Sequence, residues 1–260
     1  MTLAIGLVNP EGVVIAADSR QTGGAGRVAS DNAIKVFDLT DTVVAATSGY
    51  AFLRPQNAVS PQSIASLVEE FKPSIVAGAT VLDVAVALHA YFDAIYAQHI
   101  VHFPGNAVGA GQIALSFVVG GYDPGSRTGV IFACEVPGVA PVNPVRDSNA
   151  AGTWWIGQSD VVARIFNGFD PRIGNLALPA GTALPTLAPL MYNVHFAFMT
   201  LQDSVDFVTG LIQITITIQR FADGIAMEPG GTSGVGGPID VAVIRPGSRV
   251  TWIARKGLHP

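Results

Sequence analysis

Charged residues are scarce in this sequence. They make up 13% of its 260 residues, against about 25% in an average globular protein. Lysine occurs only as Lys35, Lys72 and Lys256, and the formal net charge is −5. The chain has no basic stripe that would attract a phosphate backbone, which argues against a nucleic-acid-binding protein.

Cysteine is rare, and the sequence predicts neither a membrane helix nor a leader segment. The single cysteine, Cys134, excludes a disulfide framework and favours a cytoplasmic protein. No run of about 18 apolar residues is present, so no membrane helix is predicted. The N-terminus has no basic segment followed by an apolar one, so no signal peptide is expected.

Apolar residues, by contrast, are abundant. They make up 49% of the chain, and the mean hydropathy is +0.44. Because no membrane segment is predicted, this composition indicates a surface that is partly buried against other subunits, and we expect a homo-oligomer. The length fits one large domain, and we expect residues 1–260 to form it.

The apolar pattern changes type along the chain. TLAIGLV and GVVIAAD, joined by NPEG, predict a β-hairpin, and NAIKVFDL with DTVVAATSG predicts a second strand pair. Residues 61–103 have three- and four-residue spacings, which predict two helices. The later segment LIQITITIQ alternates like a strand, although DSVDF before it resembles a helix start. Strands, helices, strands, helices and strands in this order predict a layered α+β domain.

Three polar residues near the N-terminus have complementary chemistry. Removal of Met1 would leave Thr2 with a free α-amine beside its own hydroxyl. That amine, with an ordinary pKa of about 8, can accept the hydroxyl proton and activate the oxygen as a nucleophile. Lys35 lies inside an apolar strand-like run, where a buried ammonium would need a carboxylate partner. Asp18, at the end of a neighbouring run, is the candidate for that partner.

These residues belong to a longer pattern. TLAIGLVNPEGVVIAADSR, then RVASDNAIKVFDL and VVAATSGYA, resembles the N-terminal half of proteasome β-type subunits, nearly without interruption over residues 2–51. Those subunits are N-terminal-nucleophile hydrolases. The resemblance implies a four-layer αββα sandwich, and in that fold LIQITITIQ would belong to a long helix.

The resemblance also implies roles for individual residues. Thr2 would be the nucleophile and its amine the proton acceptor, with Asp18 and Lys35 as the acid and lysine of the active site. The backbone amide of Gly49 would help to form the oxyanion hole. Arg20 would support the site.

A peptide substrate would pair with strand edges near Gln21 and Gly49. Five residues would line the pocket for the substrate side chain, which is expected to be apolar: Gln21, Ala33, Phe37, Thr47 and Ala51. In the second half of the chain the likeness is only in outline. There Ser159 and Ser233 are the candidates for supporting polar residues.

The expected function is therefore a threonine-type peptidase without cofactor or metal. A metal site at His99 and His102 is disfavoured, because no cysteine or acidic cluster accompanies them. We expect peptide or unfolded-protein substrates, an ATP-dependent unfoldase as a possible partner, and a ring or related assembly. Two alternatives stay open: a small-molecule amidohydrolase of the same fold, and a non-catalytic assembly subunit that retains Met1.

Overall fold

The computed structural model describes residues 2–23, 27–138, 143–144, 151–170, 173, 187, 189–222 and 233–257. Its strands, in chain order, are β1 Leu3–Asn9, β2 Gly12–Ala17, β3 Gln21–Thr22, β4 Val28–Ser30, β5 Val36–Asp38, β6 Val43–Gly49, β7 Phe52–Leu53, β8 Gln62–Ser63, β9 Leu115–Tyr122, β10 Gly129–Val136, β11 Asn143–Pro144, β12 Gly152–Gly157, β13 Asp240–Ile244 and β14 Thr251–Ala254. Its α-helices are α1 Ile64–Phe71, α2 Val81–His102, α3 Asp160–Asn167 and α4 Leu201–Phe221. Short 3₁₀ turns occupy Lys72–Ser74, Pro104–Asn106 and Phe196–Phe198.

Two five-stranded sheets form the centre of the molecule. The first has the order β12-β1-β2-β13-β14 and the second the order β11-β10-β9-β6-β5. Neighbouring strands in both sheets are antiparallel. An apolar core that includes Val13, Ile15, Val118 and Ile131 fills the space between them.

Helices cover the outer face of each sheet. Helices α1 and α2 pack on the second sheet around Leu88, Phe92 and Phe117, and α3 and α4 pack on the first around Leu7 and Ile212. The layers are therefore helix, sheet, sheet, helix, which confirms the predicted αββα sandwich. Because both faces of β1 and β2 are covered, every residue of these two strands is buried.

Hydrogen bonds of the Asn9 side chain close the first hairpin. Asn9 Oδ1 accepts hydrogen bonds from the backbone N–H groups of Glu11 and Gly12, at 2.9 and 2.8 Å. Its Nδ2 donates to Ser204 Oγ at 2.8 Å, which ties the turn to α4. The NPEG turn therefore fixes the register of β1 on β2 and also positions the helix above them.

The ambiguous segment LIQITITIQ is helical, as the resemblance implied. Thr200 and Asp203 form a capping box at the start of α4, since each side chain accepts a hydrogen bond from the other's backbone N–H. Inside the helix, the Thr215 hydroxyl donates to the Leu211 carbonyl at 2.8 Å, so this polar group is satisfied within the helix. The cap and the packing of α4 on the sheet outweigh the strand preference of the β-branched residues.

The two predicted helices of residues 61–103 are also present. Helix α1 ends at Phe71, because Pro73 cannot continue the hydrogen-bond ladder and the chain passes into a 3₁₀ turn. Helix α2 begins after a second capping box, formed by Thr80 and Asp83. In the described ranges, no helix combines the length and the hydropathy that a membrane span requires.

Candidate active site

The carboxylate of Asp18 is the polar centre of the site. It follows β2 directly and is completely buried. Its Oδ1 accepts hydrogen bonds from Leu3 N at 3.0 Å and Lys35 Nζ at 3.1 Å. Its Oδ2 accepts from Arg20 N at 3.0 Å and Gly236 N at 2.9 Å. Burial raises the pKa of this carboxyl, whereas the Lys35 ammonium and the three backbone N–H groups oppose that rise.

Lys35 lies just before β5 and is buried, with 6% of its surface exposed. Its ammonium forms an ion pair with Asp18 and also donates to the carbonyl of Arg20. Burial lowers the pKa of Lys35, and the charge of Asp18 opposes that change. A buried lysine with a lowered pKa exchanges its proton more readily near neutral pH than an exposed one.

Thr2 is held at the start of β1 by the neighbouring strand β12. Its carbonyl accepts a hydrogen bond from Gln158 N at 2.7 Å. Gly157 lies beside it with φ of +89°, and a Cβ at this glycine would overlap the Thr2 carbonyl. Only glycine fits there without strain, so the β1–β12 pairing depends on it.

A single cavity of about 940 Å³ brings the predicted groups together. Thr2, Lys35 and Gly49 all line it, as does Arg20. Gly49 ends β6 with φ of +104°, and a Cβ there would collide with the carbonyl of Ala114. The backbone conformation at this edge of the cavity therefore requires glycine.

Four of the five residues predicted for the substrate pocket line this cavity: Gln21, Ala33, Thr47 and Ala51. Phe37 does not line it, and the prediction differs from the structure there. Phe37 is 3% exposed and packs in the core between the second sheet and its helices. In the sheet Phe37 pairs with Ala45 of β6, and both residues belong to that core.

The predicted supporting residues lie in three different surroundings. The Arg20 guanidinium forms a two-bond ion pair with Asp31, at 2.7 and 2.9 Å. The Ser233 Oγ lies 3.3 Å from Gln219 Oε1 on α4 and 3.1 Å from the Val235 carbonyl oxygen, and either oxygen can accept its one proton. Ser159 is half-buried at the start of α3. Among the described residues, neither serine lines the cavity.

The cavity also has a polar part that sequence reasoning missed. His99, on α2, borders it with Tyr50 and Asn106. The Nδ1 atom of His99 accepts a hydrogen bond from Arg54 N at 3.0 Å, and Nε2 lies 3.0 Å from the Asn106 amide. Burial lowers the pKa of His99, which favours the neutral ring. The spacing of histidines on an apolar helix gave no signal for this position.

The single cysteine is a poor candidate for a nucleophile. Burial raises the pKa of the Cys134 thiol to about 12, so the reactive thiolate is scarce at neutral pH. In the part of the chain that the structure describes, no three histidine, cysteine, aspartate or glutamate side chains are grouped so that they could hold a metal ion.

The two stacked sheets and their outer helix layers form the αββα sandwich that N-terminal-nucleophile hydrolases share. The family model "Proteasome subunit" matches residues 2–51. The Gly-1 mutant of Anbu from Hyphomicrobium sp. strain MC1 has a similar structure, with a TM-score of 0.55 and 14% sequence identity over 98% of this chain and 87% of that one. None of the curated proteins matches the chain in sequence. Residues 2–51 therefore resemble a proteasome subunit in sequence, and the chain as a whole resembles Anbu in fold.

Proposed function

We propose that this protein is a threonine-type peptidase that hydrolyses peptide bonds with Thr2 as its nucleophile, after removal of Met1. The observation that carries the proposal is that Thr2, Lys35 and Gly49 line one cavity, with Lys35 paired to the buried carboxylate of Asp18. Acyl transfer needs a nucleophilic hydroxyl, an amine whose pKa is shifted by its surroundings, and a backbone N–H that stabilises the oxyanion. It also needs a cavity large enough for the substrate.

The proposed reaction has two steps. In the first, Thr2 Oγ1 attacks the scissile carbonyl carbon, and its proton passes to the Thr2 α-amine. The tetrahedral oxyanion is stabilised by the Gly49 N–H, and the peptide nitrogen leaves with the proton. In the second, water attacks the resulting ester and releases the acid and the free Thr2 hydroxyl. Lys35 lowers the pKa of the hydroxyl and the amine by its charge, and Asp18 fixes Lys35 in place.

The lining of the cavity favours an extended chain with an apolar side chain. Ala33, Ala51, Ile64 and Ile113 contribute apolar surface, and in the described residues no acidic side chain lines the cavity. A folded domain cannot enter a space of about 940 Å³, so unfolded proteins or peptides are the proposed substrates. An ATP-dependent unfoldase is the proposed partner that would supply unfolded chain.

Exposed apolar side chains support the proposal of a homo-oligomeric assembly. On α2, Val86 and Val101 are 46% and 78% exposed, and on α4 Ile214 and Phe221 are 42% and 78% exposed. Large apolar groups on outer helices are typical of surfaces that other subunits cover. We further propose that residues 1–260 act as one domain and that the assembly works in the cytoplasm.

The test compares peptide hydrolysis by the processed protein, Thr2→Ala and Thr217→Ala. Thr217 is an exposed threonine on α4 whose hydroxyl bonds within the helix, so it is a matched control. We expect Thr2→Ala to lose at least about 10³-fold in kcat/KM, and Thr217→Ala to keep the wild-type rate. Equal rates for the wild type and Thr2→Ala would overturn the proposal.

The same samples separate the two alternatives. Intact-mass measurement shows whether Met1 has been removed. Thr2-dependent hydrolysis of small amides without peptide cleavage would assign a small-molecule amidohydrolase. Retention of Met1 together with inactivity on both substrate types would assign a non-catalytic subunit.

A further inference from the structure

A second buried lysine lies close to the proposed site. Lys256 follows β14, and its ammonium forms an ion pair with Asp240 at the start of β13. The two side chains are 8% and 4% exposed. The Lys256 backbone N–H also donates to Asp240 Oδ1, at 2.9 Å. Burying a charge pair this deeply costs desolvation free energy. The place where the fold keeps such a pair therefore points to a role for it there.

The Lys256 ammonium also contacts the turn that carries Asp18. It donates to Ser19 Oγ at 2.7 Å, and that hydroxyl donates to the Pro238 carbonyl at 2.6 Å. Ser19 N donates to the Gly236 carbonyl at 2.9 Å, and Gly236 N donates to Asp18 Oδ2 at 2.9 Å. Through Ser19 and Asp240, Lys256 is therefore bonded to two of the three segments whose backbone amides hold the Asp18 carboxylate.

Charge connects the two lysines as well. The charged groups that act on Lys35 are Asp18 and Asp31, which favour its ammonium, and Lys256, which disfavours it. Burial acts in the same direction as Lys256. The Lys256 charge thus adds to the environment that makes Lys35 give up its proton more readily.

A Ser19–Lys256 nucleophile pair does not explain this arrangement. Ser19 is completely buried, and it is not among the described residues that line the cavity. The Lys256 ammonium pairs with Asp240 and donates a hydrogen bond to Ser19 Oγ, so in this arrangement it is a donor to the hydroxyl and not an acceptor of its proton.

We propose that Lys256 is a positioning residue of the active site. Through Ser19 and Asp240 it fixes the turn in which Asp18 meets Lys35, and its positive charge repels the Lys35 ammonium. Only the expected effect of Lys256 on catalysis rests on the proposed function. The repulsion between the Lys256 and Lys35 charges does not depend on whether the protein is active.

The first measurement is therefore independent of activity. The chain has only three lysines, so protein labelled with ¹³C-lysine yields three side-chain signals, and Lys35→Met assigns one of them. The Lys35 signal is titrated in the wild type, in Lys256→Met/Asp240→Asn and in Lys256→Arg. The double variant is the main probe, because Lys256→Met alone leaves the buried Asp240 carboxylate without its partner.

We expect the double variant to raise the titration midpoint of Lys35 by about 0.5 to 1 pH unit, and Lys256→Arg to leave it near the wild-type value. Lys72→Met is the matched control, since it removes a more exposed lysine charge that pairs with Glu69 and Asp38. An unchanged Lys35 midpoint in the folded double variant, or an equal shift in Lys72→Met, would overturn the proposal.

The second measurement is the pH dependence of kcat/KM with a peptide substrate. Because Lys35 acts on Thr2 through its positive charge, we expect the descending limb of the double variant to move to higher pH, with about a three- to tenfold gain at a pH above the wild-type limb. Lys256→Arg should restore the wild-type limb. A shifted Lys35 titration without Thr2-dependent hydrolysis in any form would refute the proposed function while leaving the coupling of the lysines intact.

Discussion

The two buried charges of the Asp18–Lys35 pair should depend on each other, so that replacing both destabilises the fold by much less than the sum of the two single replacements. In Lys35→Met the Asp18 carboxylate loses its ammonium but keeps three backbone N–H donors, at 3.0, 3.0 and 2.9 Å. Removal of one partner of a buried ion pair costs about 3 to 5 kcal/mol, and the remaining donors place this variant near the lower end.

Asp18→Asn should be worse for two reasons. It leaves the Lys35 ammonium buried without a charged partner, and its amide group can accept on one oxygen only. At least one of the backbone N–H groups that now reach Asp18 would then face another donor. An unsatisfied buried donor adds about 1 to 3 kcal/mol, so we expect a total of about 5 to 6 kcal/mol.

The double variant Asp18→Asn/Lys35→Met distinguishes this reasoning from simple loss of contacts. It removes both charges and leaves only the unsatisfied backbone groups, so it should cost about 3 kcal/mol, well below the sum of the single changes.

The assay is equilibrium urea unfolding followed by circular dichroism. With a slope of about 3 kcal/mol per M, Lys35→Met should lower the midpoint by about 1 M and Asp18→Asn by about 2 M. If Asp18→Asn proved milder than Lys35→Met, or if the double variant equalled the sum of the singles, the two buried charges would not depend on each other and the reasoning would be refuted.

Two further predictions concern a glycine and an exposed ion pair. Gly49→Ala should abolish peptide hydrolysis and lower the free energy of unfolding in urea by more than about 2 kcal/mol, because its Cβ meets the Ala114 backbone. Gly78→Ala is the matched control, since Gly78 has φ of +77° and open space around it. It should lower the free energy of unfolding by only about 1 kcal/mol and keep the activity. The Arg20 guanidinium lowers the pKa of Asp31 below its ordinary 3.8 through a hydrogen bond and through its charge. The pair therefore stabilises the fold above pH 3.8, and this contribution disappears as the pH falls through the lowered pKa. Asp31→Asn should therefore flatten the acid limb of stability below pH 3.8 and cost only about 0 to 1 kcal/mol at neutral pH, because the carboxyl is 41% exposed. An acid limb that stays unchanged in Asp31→Asn, or a Gly78→Ala as harmful as Gly49→Ala, would contradict these expectations.

The features that depend on residues close together in the chain were predicted best from the sequence. The hairpin around NPEG and the strand order of the first 51 residues follow from turn residues and from apolar runs, and both are present. The αββα layering was predictable through the resemblance of those same residues to proteasome β-type subunits. Residues 2–51 contain all the groups proposed for the chemistry, so one continuous pattern was enough to select them.

The position of Phe37 was harder to predict. The resemblance to proteasome β-type subunits implied that Phe37 lines the substrate pocket. In the structure it pairs with Ala45 and packs in the core between the second sheet and its helices. Whether a side chain at the end of a cavity lines that cavity or packs in the core depends on the neighbouring helices, which a local apolar pattern does not specify.

The order of residues was enough to identify a threonine hydroxyl at position 2, a lysine in an apolar run, and a carboxylate that could pair with that lysine. The environment that shifts the pKa values of these groups forms only in the folded chain. Asp18 receives a hydrogen bond from Gly236, and Ser19 receives one from Lys256, across separations of 218 and 237 residues. Burial, which lowers the pKa of Lys35 and raises that of Asp18, likewise exists only after the sheets close over the pair. The physical reason is that desolvation and long-range hydrogen bonds are properties of packed neighbours, which the order of residues along the chain does not specify.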